Sequence, residues 1–331
     1  CIKGIPMTEK IKVAQGAGGE LMDQLIKEKI LKYFKTESKD IEVPLSFLDD
    51  SAVVDSVVFT TDSHTVRPII FPGGDLGSLA VAGTVNDVSV MGAKPIALST
   101  GFIVEEGLSS ETFEAIVKSM GETAKKADVP IVTGDTKVVE KGAIQEFMIN
   151  TTGIGKRTSL LDKNIAEVNR YRKFNSRWLL DSNLEKGDKI ILSGNIVEHG
   201  VALMSFREGY GFETEIKSDV APVNKLMEKI LSIGGIVSAK DPTRGGLANT
   251  VNDFSEKSKT GIILYEEDIP ITTGVRSACD MLGIDPLEIG NEGKVVIGVV
   301  KEKADEVLSA MKKHPLGKNA VIIGEATDKI R

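Results

Sequence analysis

Five aspartates in the first half of the chain are the residues most capable of chemistry. Each of them, Asp49, Asp50, Asp62, Asp87 and Asp135, is predicted to lie at a strand end or within one turn of a helix end. Carboxylates in such places suit Mg²⁺ held jointly with phosphate oxygens, because Mg²⁺ needs few protein ligands. A single aspartate there is more often a turn former or helix cap, but five together favour a metal–nucleotide site. The sequence contains neither a Walker loop nor a kinase catalytic loop, so this would be a different kind of nucleotide site.

One of these aspartates lies in an unusual position, inside an apolar run. Asn86 and Asp87 interrupt Leu76–Met91, a run that predicts a helix capped by Asp75 and ended by Gly92. A polar pair in such a helix either faces solvent or is held for a ligand. The other aspartates favour the ligand.

Two glycine-rich stretches could bind an anion through backbone N–H groups. Gln15–Gly19 precedes a predicted helix, and Asp241–Gly246 begins another. In the second stretch, two glycines leave N–H groups bare at the helix start, and Arg244 adds a charge that can make paired hydrogen bonds. The first stretch is equally consistent with a flexible N-terminal arm.

Lys137 and Glu292 are the best candidates for charge stabilisation and proton transfer. Cys279 lies in an apolar predicted helix and is interpreted as a core residue. The histidines share no metal-ligand spacing, and all three are interpreted as structural: His64, His199 and His314.

Alternating strands and helices must position these residues. No Rossmann fingerprint accompanies the alternation, so the predicted fold class is α+β. The strand Val129–Thr133 is predicted to end at Gly134–Lys137. Residues 156–186 are basic with little periodicity, which indicates a linker or an inserted arm. The predicted organisation is an N-terminal extension at 1–12, a first domain at 13–155, this linker at 156–186 and a second domain at 187–331.

Composition excludes several functional classes. The net charge of −7 and the pI of about 5.3 argue against a nucleic-acid backbone as partner, and one Trp and four Tyr provide no stacking platform. No apolar run is long enough to span a bilayer, so no membrane partner is expected. Two cysteines form no disulfide framework, and we expect a cytoplasmic protein. Met7 is a plausible start, which would make residues 1–6 an extension.

The motifs carry a family resemblance. Asp87, Gly92, Ala93 and Pro95 resemble the signature of the aminoimidazole-ribonucleotide-synthetase superfamily of ATP-dependent enzymes, and the chain is most similar to its hydrogenase-maturation family, HypE. The resemblance covers about residues 13–155 and 187–330. The matching stretches are Phe47–Asp50, Thr60–Ser63, Phe71–Asp75, Val85–Asp87, Gly134–Val139, Asn150–Gly155, Asp241–Gly246 and Gly290–Gly293.

Two other families of the superfamily fit less well. Selenophosphate synthetases carry a reactive Cys or selenocysteine in the N-terminal glycine-rich loop, and Gly16–Gly18 has none. Thiamine-monophosphate kinases share the signature at Asp87, whereas Phe71–Asp75 is more similar to HypE.

The resemblance implies a two-domain PurM-like fold. A β-rich N-terminal domain forms a homodimer, an α/β-sandwich forms the C-terminal domain, and ATP and Mg²⁺ bind between the domains and across the dimer. It implies that Glu292 is the base, that Lys137 stabilises charge, and that Asp50, Asp62, Asp87 and Asp135 bind Mg²⁺. The implied nucleotide-binding residues are Gly18, Gly19, Asp50, Asp62, Asn86, Asp87, Asp135, Thr136, Asp241, Arg244 and Gly245.

The resemblance also implies a reaction. In this family, HypF carbamoylates a C-terminal Cys, ATP phosphorylates the carboxamide oxygen, and loss of phosphate leaves a thiocyanate. The cyano group then passes to the HypC–HypD complex for the iron of [NiFe]-hydrogenase. The family's tail ends in Pro-Arg-Ile-Cys, and the printed residues end at Arg331 without that motif. Two alternatives stay open: a kinase or synthetase acting on a free small molecule, as thiamine-phosphate kinases do, and a nucleotide-binding scaffold without turnover.

Overall fold

Two β-sheets form the framework of the structure, a computed structural model that describes residues 10–34, 38–207 and 216–328. The first sheet has six strands and the second has five, and β4 and β5 form a separate pair. The strands are β1 (Ile41–Val43), β2 (Ala52–Val54), β3 (Val57–His64), β4 (Ile70–Phe71), β5 (Gly74–Asp75), β6 (Lys94–Glu105), β7 (Ile131–Val139), β8 (Phe147–Lys156), β9 (Lys189–Leu192), β10 (Ile236–Lys240), β11 (Gly261–Leu264), β12 (Val296–Val299) and β13 (Val321–Thr327).

Helices cover these sheets. Within the described residues, no helix is both long enough and apolar enough to cross a membrane. The α-helices of this part of the chain are α1 (Gly19–Lys29), α2 (Leu76–Val90), α3 (Ser110–Ala127), α4 (Ser159–Val168), α5 (Glu198–Arg207), α6 (Asn224–Leu231), α7 (Gly246–Ser258), α8 (Thr273–Leu282) and α9 (Ala304–Lys312).

The first sheet is covered by helices on one face and open on the other. Its strand order is β1-β2-β3-β8-β6-β7, and only β6 and β7 run parallel. Side chains alternate along β8, so that Ile149 and Thr151 point to the buried face and Ile154 to the exposed face. Helices α2 and α3 pack on the buried face. The open face keeps Phe59, Ile103 and Ile154 partly exposed.

Helix α2 is buried on all sides because its residues are apolar around the whole helix. Asp75 caps its start by accepting a hydrogen bond from the backbone N–H of Ser78 at 2.8 Å, as predicted. Gly92 follows its end with φ of +79°, a value that glycine adopts without strain. The helix contacts the first sheet as well as α6 and β10 of the second domain. It therefore joins the two domains.

The second domain is an α/β-sandwich around an antiparallel sheet with the order β10-β12-β9-β13-β11. Both faces of this sheet are buried. Ile191 and Ile297 pack into one core, whereas Ile190 and Val296 pack into the other. The predicted α+β class and two-domain PurM-like architecture are confirmed.

Residues 156–186 contain helix α4, although their sequence shows little periodicity. The buried stripe of α4 consists of Leu161, Asn164 and Val168, and its polar middle member hides the apolar pattern. The Asn164 side chain donates to the carbonyl of Ile236 at 2.7 Å and accepts from its N–H at 2.9 Å. Because β10 is an edge strand of the second sheet, Asn164 satisfies backbone groups that no strand pairs.

One strand prediction is wrong, and one strand of the structure has no counterpart in the sequence-based prediction. The strand predicted to end at Gly134–Lys137 continues through them as β7, because these residues pair in register with β6 despite the glycine. Asp135 therefore lies within a strand and not at its end. Strand β10 was not predicted, because Ile236–Lys240 is a short stretch with a polar middle and a lysine.

We predict that Asn164→Ala lowers the free energy of unfolding by about 2–4 kcal/mol, because the buried N–H and carbonyl of Ile236 lose their partner. Urea unfolding of the whole chain measures this. The matched control is Asn319→Ala, whose side chain bonds Asn195 at the surface, with an expected change below about 0.5 kcal/mol. Equal effects of the two substitutions would contradict the account of α4.

Candidate functional site

A cavity of about 750 Å³ lies between the two domains. This volume is within the range of small-molecule sites. Eight carboxylate side chains line the cavity, against one lysine and one arginine. The acidic residues are Asp23, Asp49, Asp50, Asp62, Asp87, Asp241, Asp253 and Glu292.

Three of these carboxylates converge. Asp50 precedes β2, Asp87 lies in the last turn of α2, and Asp241 follows β10. Each offers an oxygen within 4.8 Å of the other two. Thr60 donates its hydroxyl to Asp87 Oδ2 at 2.8 Å and so fixes that side chain. Asp241 Oδ2 is buried and has no hydrogen-bond partner among the described residues.

The electrostatics of this cluster call for a cation. Burial raises the pKa of Asp87 well above its usual range, and neighbouring carboxylates raise it further. Burial and then Asp50 do the same to the pKa of Asp241. Burial also raises the pKa of Asp50, although Lys240 opposes the effect. Carboxylate oxygens are the ligands that Mg²⁺ prefers, so this set of donors fits the ion. The predicted metal ligands Asp50 and Asp87 thus lie together, with Asp241 as a third.

The predicted ligand Asp62 also lines the cavity, on β3. It accepts a hydrogen bond from Thr84 at 3.2 Å. His64, interpreted as structural from the sequence, lines the cavity two residues further along this strand. Its Nε2 lies 4.0 Å from Asp62 Oδ2 and 3.2 Å from Thr151 Oγ1, and burial lowers its pKa. The period of two in a strand, which gives Thr60, Asp62 and His64 one face, could have revealed it.

Glu292 lines the same cavity in a half-buried position. Burial raises its pKa well above the usual range, and Asp241 and Asp219 add to the shift. A carboxylate so placed gains a proton readily, as a general base must. Its backbone N–H donates to Asp219 Oδ1 at 3.2 Å.

Asn86 is a cross-link between the domains. Its side chain is fully buried and does not line the cavity. Its Oδ1 accepts from the N–H of Val223 at 2.7 Å, and its Nδ2 donates to the carbonyls of Ala221 at 3.2 Å and Glu292 at 3.4 Å. Asn86 thereby fixes Glu292 relative to α2 and the neighbouring Asp87.

The two predicted anion-binding stretches meet at one end of the cavity. Gly18, Gly19 and Arg244 line it, and Gly245 is the N-cap of α7 with φ of +76°. Gly18 has φ of +91°, and a Cβ there would lie 3.1 Å from the carbonyl carbon of Arg244. Glycine is therefore required for this approach. The N–H of Gly246 donates to the carbonyl of Thr243 at 3.0 Å and is not bare as predicted, so the Arg244 guanidinium is the group that this end of the cavity offers an anion.

Besides Asn86 and Gly245, three predicted site residues do not line the cavity. Asp135, Thr136 and Lys137 are exposed on β7, an edge strand of the first sheet. Asp135 pairs with Gly101, and Lys137 pairs with Ile103, so both share the open face of the sheet. The cavity reaches this open face at Phe59 and Thr61 of β3.

Comparison with known proteins gives the class first. Residues 48–156 match the family AIR synthase related protein, N-terminal domain, and residues 185–331 match the corresponding C-terminal domain. The chain therefore belongs to the AIR synthase related proteins. Solved thiamine monophosphate kinase from Aquifex aeolicus shares this fold at 14% identity and a TM-score of 0.63, over 93% of this chain and 95% of the kinase.

Within this class, the similarity to HypE is much higher. A hydrogenase expression/formation protein of Methanocaldococcus jannaschii is 51% identical over 96% of this chain and 91% of its own length. Carbamoyl dehydratase HypE of Escherichia coli is 40% identical over 96% and 91%. HypE in a solved HypE–HypF complex superposes with a TM-score of 0.82 at 43% identity, covering 94% of both chains. A HypE solved with ATP gives 0.75 at 39%, covering 94% and 88%. The chain is a member of the HypE family.

We predict that Glu292→Gln stabilises the metal-free, nucleotide-free protein, increasingly so at higher pH. Because the folded-state pKa of Glu292 is raised, its contribution to stability is full below the unfolded value near 4.5 and is lost as the pH rises through the folded value. The variant's advantage should grow by up to about 1.4 kcal/mol per pH unit in that window.

Denaturant unfolding from pH 5 to 8, roughly the window in which proteins stay folded, measures this difference. The control is Glu288→Gln, whose exposed carboxylate is solvated in both states and should give a curve parallel to the unmodified protein. If the curve for Glu292→Gln is also parallel to that of the unmodified protein, burial does not raise the pKa of Glu292 and the interpretation is wrong.

Proposed function

We propose that this protein uses ATP to dehydrate a carbamoylated C-terminal cysteine to a thiocyanate, which supplies the cyanide ligands of [NiFe]-hydrogenase iron. The observation that carries the proposal is the meeting of three metal-suited carboxylates, Arg244 and Glu292 in one cavity. The solved HypE with ATP and the carbamoyl dehydratase HypE of Escherichia coli support the same activity.

The reaction has two steps. The carboxamide oxygen attacks the γ-phosphorus of ATP, which forms an O–P bond, breaks the bond to the β-phosphate oxygen and releases ADP, and the nitrogen loses one of its two protons to solvent. This converts a poor leaving group into a good one. A base then removes the remaining N–H proton, the C–O bond breaks, phosphate leaves, and a C≡N bond results. Glu292 takes that proton, since its raised pKa favours the protonated product.

The cavity residues divide the binding of ATP between them. Arg244, which precedes α7, holds the triphosphate oxygens at the end of the cavity that Gly18 and Gly19 line. Asp50, Asp87 and Asp241 hold Mg²⁺, with Asp62 beside them. Bound Mg²⁺ supplies electrostatic stabilisation of the transferred phosphoryl group.

A second copy of the chain completes the site. Asp135, Thr136 and Lys137 lie on the exposed sheet and away from the cavity of their own subunit. The open face on which Asp135 and Lys137 lie carries Phe59 and Ile154, which are 41% and 39% exposed and suit a subunit interface. A homodimer formed through this face would place the partner copy's β7 beside the cavity where it reaches the face. Lys137 would then stabilise the charge of the transferred group.

Partners follow from the same proposal. HypF would supply the carbamoyl group, in line with the solved HypE–HypF complex, and the HypC–HypD complex would accept the cyano group.

We predict that Glu292→Gln binds ATP as tightly as the unmodified protein yet forms no thiocyanate. Lys137→Ala should also form none, because the transferred group loses its stabilising charge. The measurement is the intact mass of the whole natural gene product, carbamoylated and then given Mg²⁺ and ATP, in which thiocyanate formation appears as loss of one water.

A mixture of the two variants tests the shared site. Mixed dimers combine Glu292 of one subunit with Lys137 of the other, so we expect loss of water to return on mixing. Lys141→Ala is the matched control for Lys137→Ala, because Lys141 is an exposed lysine beyond the end of β7. Full activity in Glu292→Gln would refute the base, and failure of the mixture would refute the site shared across the dimer.

A further inference from the structure

A buried ionic network supports the loop that carries Asp50. Its centre is Asp181, which is 1% exposed and lies in a short turn of helix within residues 156–186. Asp181 Oδ2 lies 3.1 Å from Lys240 Nζ and 2.6 Å from Lys257 Nζ. One carboxylate thus holds two lysines from two elements of the second domain, β10 and α7.

This network contacts three consecutive residues of the first domain. Lys257 donates to the carbonyl of Leu48 at 2.6 Å. The backbone N–H of Asp181 donates to Asp49 Oδ1 at 3.1 Å, and Lys240 donates to Asp50 Oδ1 at 2.8 Å. Leu48 has φ of +52°, a left-handed conformation that a residue with a side chain adopts only when its surroundings hold it.

These contacts use only one of the two carboxylate oxygens of Asp50. Lys240 occupies one carboxylate oxygen, and the side chain still takes part in the cluster with Asp87 and Asp241. Two lysine charges so close to that cluster would repel a cation if nothing balanced them. Asp181 pairs with both lysines without lining the cavity itself, and Asp253, 3.6 Å from Lys240 Nζ, is a further partner of that lysine.

We propose that Asp181 is a positioning residue that sets the affinity of the cluster for a divalent cation. It does so by holding Lys240 and Lys257 in place and neutralising them, which fixes residues 48–50. This inference rests on the proposed nucleotide function of the cavity, and it gives residues 156–186 a direct part in that function.

The experiment compares cation and nucleotide binding separately in the full chain. Titration calorimetry measures Mg²⁺ binding in the presence of the non-hydrolysable analogue AMP-PCP, and binding of the analogue without metal. We expect Asp181→Asn to weaken Mg²⁺ binding about tenfold, because Lys257 then loses its carboxylate partner and Lys240 keeps only Asp50 and Asp253 as partners. Binding of the metal-free analogue should not weaken, since the same lysine charge attracts an anion.

Two further variants distinguish an effect on the metal site from a general loss of stability. Asp188→Asn is the matched control, because Asp188 is another buried aspartate paired with a cation, Arg172 at 2.8 Å, and it does not line the cavity. It should lower the melting temperature and leave Mg²⁺ affinity unchanged. Asp181→Asn with Lys257→Met removes one charge of each sign and should recover part of the Mg²⁺ affinity, because the charges balance again although Leu48 loses its lysine contact. This double variant serves as the test if the single variant does not fold.

The outcomes are distinct. Mg²⁺ affinity of Asp181→Asn within about twofold of the unmodified protein would overturn the proposal, as would equal weakening in Asp188→Asn or no recovery in the double variant. If the unmodified protein binds neither Mg²⁺ nor the analogue, the proposed function itself fails.

Discussion

The structure depends on one electrostatic constraint. The fold brings several carboxylates together with too few positive charges nearby to neutralise them. Asp50, Asp87 and Asp241 each offer an oxygen within 4.8 Å of the other two, so one cation could contact all three, and the pKa of each is raised. Such a cluster costs folding free energy that a bound cation can offset. In the proposed function, stability and activity are therefore coupled at this cluster, where the cation would also bind the triphosphate.

The rest of the fold serves to hold that cluster. Every residue of helix α2 except Asp87 is buried, so packing holds the helix in place and the half-buried Asp87 faces the cavity. Asn86, its neighbour, bonds the backbone of Val223 and Glu292 and fixes the second domain on the same helix. In the proposed site, Asp87 lies on α2, and the backbone of Glu292 is bonded to the same helix through Asn86. In the proposed dimer, a second copy of the chain covers the open face of the first sheet, including the residues of β7.

The sequence pattern predicts those features of the fold that depend on neighbouring residues. The capped helix α2, the glycine turns and the two-domain α+β fold could be predicted because each depends on residues close in sequence. The convergence of Asp241 with Asp50 could not, because it depends on the packing of two domains. Asp181 lies in a basic segment and Lys240 in a short strand. Their charges would predict exposure to solvent, whereas both side chains are buried. Asp135 was placed at a strand end because Gly134 looks like a stop, yet pairing with β6 continues the strand.

The most direct test follows the oxygen atom of the carboxamide. The full natural gene product would be carbamoylated with a heavy isotope of oxygen in the carboxamide and then given Mg²⁺ and ATP. The account predicts that the heavy oxygen appears in inorganic phosphate, in step with loss of water from the protein, because ATP activates that oxygen as a leaving group. Heavy oxygen released as water, with phosphate unlabelled, would contradict it.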